Sequence, residues 1–104
     1  MLLKIIPSKN YRTIDLISII QGDEQNLEIC HKILYLIDSS NFSEKIYDIL
    51  SNNGYLSTCF KKNIILIKLN EKVFLNKDLK EIKYFKVFWN NKLFWSESKN
   101  FIVL

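Results

Sequence analysis

Apolar positions in the first half of the chain recur with the spacing of helices, and those in the second half with the spacing of strands. Leu2 to Ile6 is a short apolar run ended by Pro7, which reads as an edge or first strand. After it the pattern turns helical. Thr13 can cap a helix running through Gln21, with Ile14, Ile17 and the pair Leu16/Ile20 at helical spacing and Gly22 suited to the left-handed position after its end. Asp23 caps a second helix to about Ile37, whose Leu27, Cys30, Ile33, Leu34 and Ile37 follow a period of about 3.6 residues. Ser43 caps a third, with Ile46, Ile49 and Leu50 inward and Asn53-Gly54 as its stop.

From Tyr55 onward the runs are short and β-rich: YLSTCF, NIILIKL, KVFL, the alternating EIKYFKVFWNNKLFWSE of Glu81 to Glu97, and FIVL at the end. The connections Lys61 to Asn63, Asn70 to Lys72 and Asn90-Asn91 are short enough for hairpins, and only the last has residues suited to positive φ. The expected architecture is α+β in one compact domain over residues 1–104, with three N-terminal helices packed on a C-terminal antiparallel β-meander of four to six strands.

A two-residue loop at Asn90-Asn91 sets Trp89 opposite Lys92, Phe88 opposite Leu93, Val87 opposite Phe94 and Lys86 opposite Trp95. One sheet face then carries Phe85, Val87, Trp89 and Phe94, wholly apolar and expected to meet the helices. The other carries Tyr84, Phe88, Leu93 and Trp95, with Lys86 placed for a cation–π contact on Trp95. Because charge interleaves this second set, it reads as a surface covered part of the time or by a partner, or else covered within the monomer by the N-terminal strand or a helix.

Composition narrows the class. A chain of 104 residues with 48% hydrophobic and 25% charged side chains fits a globular domain able to bury a core without staples. Cys30 and Cys59 are too few for a disulfide scaffold and too far apart for a metal knuckle, so two buried, reduced thiols are expected, with no metal and no cofactor. The start MLLKIIPSKNYR, broken by Lys4 and Pro7, lacks a signal-peptide pattern. No apolar run approaches the roughly 20 residues of a spanning helix. A cytoplasmic protein with no membrane partner, monomeric or weakly dimeric, is the expectation. There is no alanine, while Ile, Lys, Asn and Leu dominate, the bias of an AT-rich coding sequence, which lowers the weight of any single lysine.

Charge changes the picture more. Residues 1–54 hold five basic and seven acidic side chains, a net of −2, whereas residues 55–104 hold ten lysines against four acids, a net of +6. On the second helix Glu24, Glu28, His31 and Tyr35 are spaced as one polar stripe, with Asp23 at its start and Asp38 at its end. Acids at a helix start are also favoured by its dipole.

An enzyme is not expected. Cys30 and His31 are adjacent on a helix and point about 100° apart, a poor dyad. Nothing supplies a phosphate-cradling loop, a nucleophile elbow or a metal set, and the chain has only two glycines. Over about the first 70 residues, three helices followed by a hairpin from Tyr55 to Leu69, with Lys61-Lys62 at its tip, resemble a winged-helix domain in pattern. Its recognition helix would be SEKIYDILSNN, where one lysine faces Glu44 and Asp48. A sheet carrying Lys61, Lys62, Lys83, Lys86 and Trp95 is a second route to nucleic acid, by stacking bases over a positive surface. Arg12 is the only arginine, which weakens both routes. The preferred reading is a non-catalytic protein-binding module, similar in kind to the immunity protein that occludes the active site of a bacterial toxin. The acidic stripe of Asp23, Glu24, Glu28, His31, Tyr35 and Asp38, with Tyr35 and Tyr47 as anchors, would suit a basic nuclease domain.

Overall fold

The computed structural model describes all of residues 1–104, the side chain of Ser39 excepted. The elements are β1 Leu2–Ile5, β2 Ile14–Ile20, α1 Glu24–Leu36, α2 Glu44–Asn52, β3 Tyr55–Lys61, β4 Ile65–Leu75, β5 Glu81–Trp89, β6 Lys92–Glu97 and β7 Phe101–Val103, with single 3-10 turns at Ser39–Asn41 and Ser98–Asn100. All strands join one seven-stranded sheet in the order β3-β2-β6-β5-β4-β1-β7, and every pairing is antiparallel. The expectation of three N-terminal helices on a meander of four to six strands is therefore overturned. There are two α-helices, and the strand order crosses over instead of following the chain.

The missing helix is β2. Four of its seven residues are isoleucine, whose branched Cβ loses rotamers in a helix and packs well on a pleated sheet. Ile17 and Ile19 point to one side with Asp15, and Ile20 to the other, a period of two that helical spacing had obscured. Gln21 then donates its N–H to the Gly54 carbonyl at 2.8 Å, closing the start of β3 onto the end of β2. Only glycine fits there: φ at Gly54 is +89°, and a Cβ would stand 1.9 Å from the Gln21 carbonyl oxygen.

The two remaining helices begin at Asp23 and Ser43 and end near Ile37 and Asn53. Asp23 accepts from the N–H groups of Gln25 and Asn26, and its own N–H donates to the Asn26 side-chain oxygen, a full capping box. The two runs divided at Asn70 to Lys72 form one strand, β4. The polar cluster there marks a register shift against β5 between Lys68 and Asn70, not a turn. Nor do β3 and β4 form a hairpin, since β3 pairs only with β2 while β4 lies between β5 and β1. The Asn90-Asn91 loop has positive φ at both residues, and it sets Trp89 on Lys92 through Lys86 on Trp95, the register its sequence implies.

The sheet curls until every strand reaches one core, formed by Leu3, Ile5, Ile17, Ile19, Phe60, Leu66, Phe85, Val87, Phe94 and Phe101. This is the face carrying Phe85, Val87 and Phe94, and it packs on itself, not on the helices. The helices lie on the opposite face, where Leu27, Cys30, Ile33 and Leu50 meet Ile20, Tyr84 and Trp95. The two faces are thus exchanged relative to expectation, because a curled sheet fills its concave side with its own side chains.

Candidate functional site

Charge separates by layer. Residues 23–53, which hold both helices, carry six carboxylates and two lysines, a net of −4, while the remainder carries thirteen basic side chains and five carboxylates, a net of +8. The division is sharper than that between halves of the chain, because β1, β2 and their loops belong with the basic sheet.

On α1 the outward stripe is Glu24, Glu28, Lys32 and Leu36, all exposed. His31 and Tyr35, expected on that stripe, lie on the inner flank. His31 is buried, stacked on Tyr35 and Phe74 and edge-on to Tyr84. A carbonyl can only accept, so Nε2 donates to the Leu75 oxygen at 3.0 Å, and Nδ1 takes the Tyr84 hydroxyl at 2.9 Å. With both nitrogens engaged, His31 is a core histidine, and Cys30 beside it directs its thiol towards the Leu50 and Asn53 carbonyls. Burial pushes the Cys30 thiol up to about 11. Glu24 pairs with Lys72 across the layers at 3.0 Å. Asp38, at the end of α1, accepts from the Ser40 N–H, which holds its carboxyl below the usual range.

The exposed acidic and aromatic groups come together on α2. Only Ile46 and Leu50 turn towards the core; Ile49, expected inward, is exposed. Glu44, Tyr47 and Asp48 share one face by their spacing. Tyr47 is 55% exposed, its ring held edge-on by Phe42 at 5.7 Å. Glu44 and Asp48 were legible as an acidic helix but not as part of the docking stripe. Leu36, Ile37 and Ile49 add exposed apolar surface to the same layer.

A second feature lies where β2 and β6 part after a single pair, Ile20 opposite Trp95. The Ser96 hydroxyl bridges the gap by donating to the Ser18 carbonyl at 2.7 Å, and the Asn100 amide donates to Ser96. The resulting cleft of about 400 Å³ is lined by Ser18, Tyr35, Tyr55, Glu97 and Lys99 among others. Tyr35 donates to one Glu97 oxygen at 2.6 Å and Lys99 meets the other at 3.5 Å, while the Tyr55 hydroxyl reaches Ser18 at 3.2 Å. Burial first, and then the hydrogen bond to Glu97 and its charge, raise the Tyr35 phenol pKa, so it stays a donor and not a base. The polar groups satisfy one another, and the cleft has the character of a bridge between strands.

The lysines of the nucleic-acid reading are mostly engaged. Lys62 donates to buried Asp15 and to the Ser8 carbonyl, each at 2.8 Å. Lys83 meets Glu71 at 3.4 Å, and Lys86 stands 5.8 Å from the centre of the Trp95 ring. Lys61 is exposed. Trp95 is buried beneath the helices and offers no face to a base, and its Nε1 has no partner among the described residues. Cys59 is exposed on β3, which corrects the expectation of two buried thiols; both cysteines are free.

Among the described residues, no three His, Cys, Asp or Glu side chains group so as to hold a metal ion, and no helix is long and apolar enough to cross a membrane. No family model matches the chain, and no curated protein or solved structure is significantly similar to it.

Proposed function

We propose that this protein is a non-catalytic, cytoplasmic protein-binding module, a small inhibitor of the immunity-protein kind that occludes the active site of a basic toxin domain with its helical layer. The observation that carries the reading is the partition of charge by layer. Carboxylates concentrate on two helices whose outer faces also expose Tyr47, Ile49 and Leu36. An aromatic anchor flanked by carboxylates, as Tyr47 is by Glu44 and Asp48, is an arrangement that steers and then holds a complementary partner. Glu24, Glu28, Glu44, Tyr47 and Asp48 form the proposed interface. The sheet lysines weigh less as a nucleic-acid surface because Lys62 is tied to buried Asp15 and Trp95 is buried.

The test measures binding to basic nuclease-type toxin domains, and to duplex and single-stranded DNA and RNA, at physiological salt. Micromolar or tighter binding to one of these domains is expected. Reversing Glu44 and Asp48 to Lys should slow association most at low salt, and Tyr47→Ala should speed dissociation, weakening binding by about 2 kcal/mol or more. Equally tight nucleic-acid binding, abolished by alanine at Lys61, Lys83 and Lys86 and untouched by the acid reversals, would overturn the reading.

A further inference from the structure

At one border of the sheet, β7 is a three-residue strand, too short to template another chain. At the other, β3 runs seven residues without proline, bulge or inward charge. Its ladder with β2 is flanked by the bonds Gln21 N–H to Gly54 O and Lys62 N–H to Thr13 O. Antiparallel alternation then assigns the backbone groups of Leu56, Thr58 and Phe60 to β2 and turns those of Tyr55, Ser57, Cys59 and Lys61 to the free edge. None of those four makes a backbone hydrogen bond elsewhere among the described residues. The middle two, Ser57 and Cys59, are exposed.

The inward side chains of this strand open on a cavity of about 170 Å³ lined by Leu56, Phe60, Trp89 and Phe94, and by the exposed Lys92. Thr58 lines it too, and its hydroxyl oxygen is buried without a partner. An apolar space, an orphan hydroxyl and a cation therefore sit beside a row of unpaired backbone donors and acceptors.

We propose that β3 is a docking edge for an extended segment of a partner protein. The segment pairs with the backbone of Ser57 and Cys59, sets a large apolar side chain into the cavity, and places a neighbouring carboxylate against Lys92. Strand addition draws affinity from main-chain bonds and specificity from pockets for alternate side chains, and both parts are present here. A second copy paired through β3 would bring Leu56, Thr58 and Phe60 to the cavity but, since β3 carries no Asp or Glu, no carboxylate to Lys92. This site is separate from the acidic helical layer and does not rest on it.

The probe is a displayed library of random peptides selected on the whole protein. Selected sequences should share a large apolar residue beside an acidic one, and their binding should slow hydrogen exchange at the amides of Ser57 and Cys59 while leaving Thr58, already bonded to β2, unchanged. Cys59→Pro deletes an edge-facing donor without touching the β2 ladder and should weaken binding at least about tenfold, whereas Cys59→Thr should retain it. Should the proline variant fail to fold, backbone N-methylation of the peptide removes the same bonds from the other side and should abolish binding. The proposal is overturned by any of three results: no enrichment above an unrelated protein, binding that survives both changes, or a dimer through β3, which assigns the edge to a second copy.

Discussion

Two sets of side chains on the same strands are equally apolar in sequence and opposite in fate. Leu2, Ile67, Phe88 and Leu93 stand in direct register across β1, β4, β5 and β6. Their immediate neighbours Leu3, Leu66, Val87 and Phe94 are buried in the inner core, whereas Leu2, Ile67 and Leu93 are exposed and Phe88 only half-covered. Further along the same outer face, Tyr84 and Trp95 are buried because the helices lie over them. Hydrophobicity alone does not decide burial in this sheet. The direction of curl assigns one face to the core, and the position of two short helices divides the other.

The largest effect expected along this divide is at Leu66, fully buried in the inner core. Leu66→Ala leaves a cavity bordered by side chains from several strands and should lower stability by about 3 kcal/mol in urea unfolding. A loss below about 1 kcal/mol would mean that the inner face collapses around the gap and is less fixed than its packing implies.

Local signals were legible, and distant ones were not. Asp23 as a cap, Asn53-Gly54 as a stop and Asn90-Asn91 as a tight turn each depend on a few adjacent residues, and each lies where the sequence puts it; Ser43 stands at the start of α2 but its side chain makes no capping hydrogen bond. The strand Ile14–Ile20 was hidden because its isoleucines satisfy helical spacing as well as alternation. Its partners, β3 and β6, lie more than thirty residues away in the chain. The same distance hid the sheet order, and with it the facts that Tyr55 to Leu69 is no hairpin and that no winged-helix arrangement forms. Within the site, helical spacing grouped Glu24 and Glu28 correctly but carried the stripe on to His31 and Tyr35. In the folded helix Lys32 and Leu36 continue the exposed stripe instead.

The inner face has one fully buried carboxylate, and breaking its ion pair tests how dry that face is. Asp15 stands opposite Phe60 and is buried. Burial pushes its carboxyl up, but the Lys62 ammonium and the Ser8 N–H outweigh burial and hold it below the ordinary value. A carboxyl depressed in the folded state contributes stability above the unfolded value of about 4 and loses it as pH falls through the lower folded value. Lys62→Met removes the compensation and leaves a buried charge. It should destabilise by about 2 kcal/mol at neutral pH, below the range for fully buried pairs because the Lys62 side chain is 21% exposed. With Lys62 gone, burial is opposed only by the Ser8 N–H and the Lys4 charge, so the Asp15 carboxyl of the variant rises from its wild-type value and the gap between variant and wild type should narrow as pH falls from 6 towards 3. A gap independent of pH would show that Lys62 acts by packing its stem and not through its charge.

The smallest effect should come from the outer row. Ile67 is 41% exposed although flanked in register by Leu2 and Phe88. Threonine keeps the β-branched shape that suits a strand and places its hydroxyl in water, so Ile67→Thr should change stability by no more than about 0.5 kcal/mol. The contrast with Leu66, one residue away, is then a direct reading of which face the curl buries. A loss near that of Leu66→Ala would mean that the outer row is covered in solution, and sedimentation would identify the cover: a dimer that Ile67→Thr or Leu93→Thr dissociates. If the protein remains monomeric and the substitution is neutral, the uncovered half of the outer face is free surface, and the structure's stability rests on the inner core and the helix-covered half alone.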